Sequence, residues 1–113
     1  MFHKIKWVFQ RLFRGYSDSD LFDLDCHLAK LILKRLYAFK KANKPGLPYD
    51  KKKGDFLTSE EWDELFDSMI WSLEYIISGR WFDLSDNLKI DKDLERYKKG
   101  MHNFAEYFSS LWL

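Results

Sequence analysis

Apolar residues recur at spacings of three and four near the end of the chain, at Leu94, Tyr97, Met101, Phe104, Phe108 and Leu111. That period predicts a helix with one buried face, opening at Asp91 and running almost to the C-terminus. Trp62, Phe66, Met69, Leu73 and Ile76 repeat the pattern. Thr58 stands three residues before Glu61, and Leu57 precedes it, which predicts a capping box and a hydrophobic staple at the start of that helix. It runs to Ser78 and stops at Gly79. Phe2, Ile5, Phe9, Leu12 and Phe13 gather on one side of a first helix that ends at Arg14, before Gly15. A second helix opens at Ser17 or Ser19 and continues to Ala42, with Leu21, Leu28, Ile32, Leu36 and Phe39 as its stripe.

Four amphipathic helices predict an all-α, four-helix bundle-like single domain covering 1–113. Between the second and third helices, residues 43–56 hold Pro45, Gly46, Pro48 and three consecutive lysines, Lys51 to Lys53. They read as the longest loop and as a mobile one. Residues 80–90 form a second connection, in which Trp81 and Phe82 are expected to tuck under the bundle. Gly100 lies inside the fourth helix at the flank of its stripe. A glycine there costs about 1 kcal/mol relative to alanine, which a close helix contact would offset.

Charge alters this picture little in total and more in its distribution. The formal net charge is +1, which gives no global argument for nucleic acid or a membrane. Residues 1–16 carry four Lys or Arg and no acid, residues 17–29 four Asp and no Lys or Arg, and residues 56–78 six acids and no base. Such blocks place opposite charges on neighbouring helices. The first helix also has the pattern of an interfacial membrane anchor. No apolar run approaches the roughly 20 residues of a membrane span, so a soluble, cytoplasmic chain without a membrane partner is expected. The single Cys26 allows no intramolecular disulfide.

Candidate chemistry is sparse. Projection of the second helix puts Asp25 inside its stripe, and Lys98, at the edge of the fourth stripe, is its candidate partner in a buried ion pair. A functional acid is the alternative. Asp23 and His27 share a helix face, as do His102 and Glu106, and Glu60, Glu61 and Glu64 crowd the first turn of the third helix. Carboxylates so placed could hold a metal against phosphates, but acids in a first turn are also favoured by the helix dipole alone. No metal site and no cofactor is expected. Trp71 and Tyr75 project opposite the stripe of their helix, Tyr37 projects away from its own, and Tyr107 lies on a flank. Such aromatics form either a partner surface, self-association included, or internal cover. Bases near Trp7 and Tyr37 could serve phosphates while the rings stack, yet the acidic helices oppose nucleic-acid binding.

Three blocks carry a resemblance: RGYSDSDLFDLDCHLAKLILKRLYAFK, LTSEEWDELFDSMIWSLEYI and RYKKGMHNFAEYFSSLW. Together they resemble small uncharacterised proteins encoded by tailed bacteriophages, in which a Gly-aromatic-Ser-Asp start, a His-Leu-Ala-Lys helix and a Glu-Trp-Asp helix recur in that order. The resemblance implies a phage origin and a place in the cytoplasm of an infected bacterial host. The expected function is that of an accessory protein that binds another protein, a host or bacterial defence factor. The alternatives are a metal-dependent nucleotide-processing enzyme and a self-assembling virion component.

Overall fold

A computed structural model describes residues 2–42, 47–79 and 87–111, with the backbone alone for Phe2, His3, Asp20, Asn87 and Leu88. The described chain is all-α apart from one small hairpin. Its elements are α1 (Phe2–Arg14), α2 (Asp18–Phe22), α3 (Leu24–Lys41), β1 (Tyr49–Asp50), β2 (Asp55–Phe56), α4 (Ser59–Ser78) and α5 (Asn87–Glu106), followed by a single 3-10 turn, Phe108–Ser110. The four long helices are the four that periodicity predicts.

Three boundaries differ from the sequence reading. The second helix is broken at Asp23, whose φ of −125° and ψ of 60° are not helical. Aspartate is a poor interior helix former because its side chain competes for backbone groups. The fourth helix begins at Asn87, ahead of Asp91. The loop expected to be mobile closes instead on an antiparallel hairpin pairing Tyr49 with Phe56 and Asp50 with Asp55. Its turn holds because Gly54 adopts a φ of +76°, where a side chain would be strained, while Asp50 Oδ1 accepts from the Lys52 N–H at 2.9 Å. Residues 43–46, and the connection through 80–86 with Trp81 and Phe82, lie outside the described residues.

α4 is the centre of the fold. Its predicted capping box is present: Thr58 Oγ1 accepts from the Glu61 N–H at 3.1 Å, and Glu61 Oε1 accepts from the Thr58 N–H at 3.0 Å. Gly79 ends the helix in the left-handed region, with a φ of +69°. α3 packs against one side of α4 and α5 against another, so the molecule is a slab, 56 × 40 × 20 Å. Ala29 and Leu36 of α3 meet Trp62, Phe66, Met69, Ile70 and Leu73 of α4, and Leu57 and Tyr107 close the cluster. Phe39 stacks on Phe66 at 5.7 Å, and Trp62 sets its edge against Phe66 and Tyr107.

The contact between α4 and α5 is made by small and polar residues. A methyl group on Gly100 would overlap Ser72 Oγ and the Ser68 carbonyl oxygen, so the glycine is the close approach that its position predicts. Ser72 Oγ donates to the Tyr97 carbonyl at 3.0 Å, and Asn103 Nδ2 donates to Ser68 Oγ at 2.9 Å. Among the described side chains, the buried residues of α5 are Gly100, Asn103 and, just past its end, Tyr107. The apolar stripe of Leu94, Tyr97, Met101 and Phe104 is turned to the side and only partly covered.

Among the described residues α1 stands apart from this layer and packs only on α2. Asp18 is the staple. Its carboxylate accepts from Gln10 Nε2 at 2.9 Å, pairs with Arg14 at 2.6 Å and lies 3.6 Å from Lys6, while its N–H donates to Gln10 Oε1. Lys6, Gln10 and Arg14 recur every four residues, so the polar side of α1 is the side that docks.

Candidate functional site

The aromatic residues singled out as a partner surface are mostly consumed inside the fold. Tyr75 is 1% exposed and Tyr107 8%, which corrects the outward projection of Tyr75 and removes both residues from a partner surface. α4 has neighbours on two sides, and α5 lies over the side carrying Ser68, Ser72 and Tyr75 rather than over the stripe. Trp71 is half-buried, stacked on Tyr75 at 5.1 Å, with the Arg96 guanidinium 4.1 Å from its ring centre. Tyr37 stays exposed, and its hydroxyl donates to the Glu74 carboxylate, which pushes its pKa up because the bond holds the proton.

The buried ion pair expected between Asp25 and Lys98 is absent, since both residues are exposed. Asp25 shares the angular phase of Ile32 and Leu36, but it stands in the first turn of α3, where Leu24 and Leu28 are exposed as well, and its carboxylate turns back to accept from the Cys26 N–H at 2.8 Å. Cys26 itself donates to the Ile76 carbonyl across the α3 and α4 contact, and burial pushes its thiol pKa up. A thiol so held is a poor nucleophile.

The carboxylates do not assemble a metal centre: among the described residues no three His, Cys, Asp or Glu side chains are placed to hold an ion. Asp23 and His27 lie at the start of α3, away from Glu60, Glu61 and Glu64 on α4. Glu61 is committed elsewhere. Lys53 Nζ, 2.6 Å away, and the Thr58 N–H hold its carboxyl down at about 2. An open cleft of about 320 Å³ lies beside it, lined by Asp50, Glu64, Ser68, Lys99, Asn103 and Tyr107. Burial first, and then the nearby Asp50, Glu106 and Glu61, raises the Tyr107 pKa. The cleft presents no nucleophile beside a base and is the outer edge of the seam between α4 and α5.

The surface that stands out is α1. Ile5, Val8, Phe9, Leu12 and Phe13 cover an arc of about 140° on its helical projection, and all five are exposed, Leu12 at 74% and Phe13 at 84%. Phe9 and Phe13 stack on each other at 6.3 Å. A second uncovered apolar surface lies on α2 and the first half of α3, where Leu21, Phe22, Leu24, Leu28 and Leu31 are exposed. Sequence reasoning found the α1 stripe but counted it among those a bundle would cover; the signal missed was the charge pattern, which lets Asp18 capture Lys6 and Arg14 and turn the stripe outward. Large contiguous apolar patches on a protein surface mark interaction sites. No described helix is long and apolar enough to cross a membrane. No protein-family model, curated protein or solved structure matches the chain, so the phage resemblance rests on its three sequence blocks alone.

Proposed function

We propose that this is an accessory protein that acts by binding another protein, with the apolar face of α1 as its contact surface. The observation that carries the reading is the inverted docking of α1: Lys6, Gln10 and Arg14 are spent on Asp18, while Phe9, Leu12 and Phe13 face outward. Full burial of one such side chain is worth about 1.5–3 kcal/mol, and a monomer forgoes the share of it that corresponds to the exposed part of each. Following the resemblance of the sequence blocks, the setting we propose is the cytoplasm of an infected bacterium, with a host or defence protein among the targets. The metal-dependent enzyme has no comparable support, because Glu60, Glu61, Glu64, Asp23 and His27 do not converge.

The test is a pull-down from infected-cell lysate followed by titration of the purified partner, using the intact chain beside a Phe9→Glu, Leu12→Glu double variant. Binding to a partner that is lost in the variant, with helix content retained by circular dichroism, is the expected result. Equal binding by the variant would remove α1 from the reading.

A further inference from the structure

We propose that the occupant of the α1 face is a second copy of this chain: α1 of each protomer lies across the α2 and α3 leucine face of the other, in a twofold dimer. The inference rests on reading α1 as a docking surface and names what docks there.

Three observations point to a second copy. Each chain carries two uncovered apolar faces, and they cannot satisfy each other within one chain while Asp18 holds the polar side of α1 against α2. The charges are opposite at one end. Lys4 and Arg11 flank the α1 face in a helix that has no acid, whereas Asp23 and Asp25 stand exposed beside Leu24 at the start of the leucine face, with Arg35 at its far end beside Leu31. A twofold pairing brings each face against its complement twice.

Area agrees. The chain exposes 8638 Å², against about 6,600 Å² for a compact monomer of its 13.7 kDa mass. The excess of about 2,000 Å² exceeds the roughly 800 Å² per partner that a stable interface of standard size buries. An anionic lipid surface would suit the bases of α1 but would be repelled by Asp23 and Asp25, so a protein face bearing those acids fits better.

Sedimentation velocity from about 1 to about 100 µM tests the proposal, using the intact chain with Leu12→Glu on α1 and Leu28→Glu on α3. Both sites are exposed, so both variants keep their helix content. The expected result is a dimer that each variant weakens at least about tenfold, and a mixture of the two variants that dimerises again. In the mixture one chain supplies a sound α1 and the other a sound leucine face. A monomer at every concentration overturns the proposal, as does a dimer indifferent to Leu28→Glu, which would mean that α1 pairs with α1. Flotation of a monomer with phosphatidylglycerol vesicles, abolished by Leu12→Glu, would overturn it in favour of lipid. A monomer that still captures a different protein through α1 would sink the dimer and leave the binding function standing, whereas a Leu12→Glu variant unchanged in every assay would sink both.

Discussion

The seam between α4 and α5 and the corner between α1 and α2 are both built on polar contacts, with opposite results. In the seam, Ser72, Ser68 and Asn103 spend their hydrogen bonds so that two backbones can close around Gly100, and Tyr75 and Tyr107 disappear beneath them. In the corner, Asp18 gathers Lys6, Gln10 and Arg14 and holds the helix by its polar side, which leaves the apolar side outward. A hydrogen bond fixes which way a helix faces but adds little net stability of its own. Burial supplies the stability, and it follows only where the fixed orientation turns the apolar face inward.

The sharpest way to break that comparison is one aromatic from each region. Phe66→Ala, at the centre of α4, is expected to cost about 3–5 kcal/mol by transfer loss and cavity formation. Phe13→Ala should move the stability of the dilute monomer by less than about 0.5 kcal/mol. Urea unfolding of both variants measures the contrast, and equal losses would mean that α1 is packed after all.

Gly100→Ala comes next. On propensity alone the change would stabilise α5 by about 1 kcal/mol. The added methyl meets the backbone oxygen of Ser68, which cannot step aside, so a net loss of about 1–3 kcal/mol is expected from overpacking. A gain in the urea midpoint would show that the seam is loose.

Smaller effects sharpen the picture at the edges of the two regions. Glu61 is held at about 2, against an ordinary value of 4.5, by Lys53 and the Thr58 N–H. Its contribution is therefore complete above pH 4.5 and is lost as pH falls toward about 2. Amide exchange in the first turn of α4 should rise over that window, and Lys53→Ala should move the window upward. Exchange that stays flat between those values would deny the cap this role.

Asp18 is also held below its ordinary value, by Gln10 first and then Arg14. Its staple thus persists at neutral pH and weakens under acid. Asp18→Ala should speed amide exchange throughout α1 while leaving α4 unchanged; faster exchange in both would show that the two regions are coupled.

The parts of the fold that could be read from sequence are those fixed within a few residues of one another. Thr58, Glu61 and Gly79 delimit α4 because a cap and a left-handed stop need only neighbours along the chain. The hairpin at Tyr49–Phe56 escaped because its strands are two residues long and give no alternating pattern. Tyr75 was misplaced because projection from a single stripe assumes one buried side, and α4 has two. Asp25 is exposed although it shares the phase of Ile32 and Leu36, because a helical wheel does not show where along the axis the core stops, and the first turn of α3 lies beyond it.

The sequence by itself determined four amphipathic helices, the capping box of α4, the glycine stops of α1 and α4 and the block order of the charges, since each follows from local period and local hydrogen bonding. Tertiary structure alone decided that α4 would be flanked on two sides and that α1 would show its apolar face to the outside. Those outcomes depend on which residues distant in sequence come within a few ångströms of each other, and Asp18 reaching back to Gln10 and Arg14 settles the last of them.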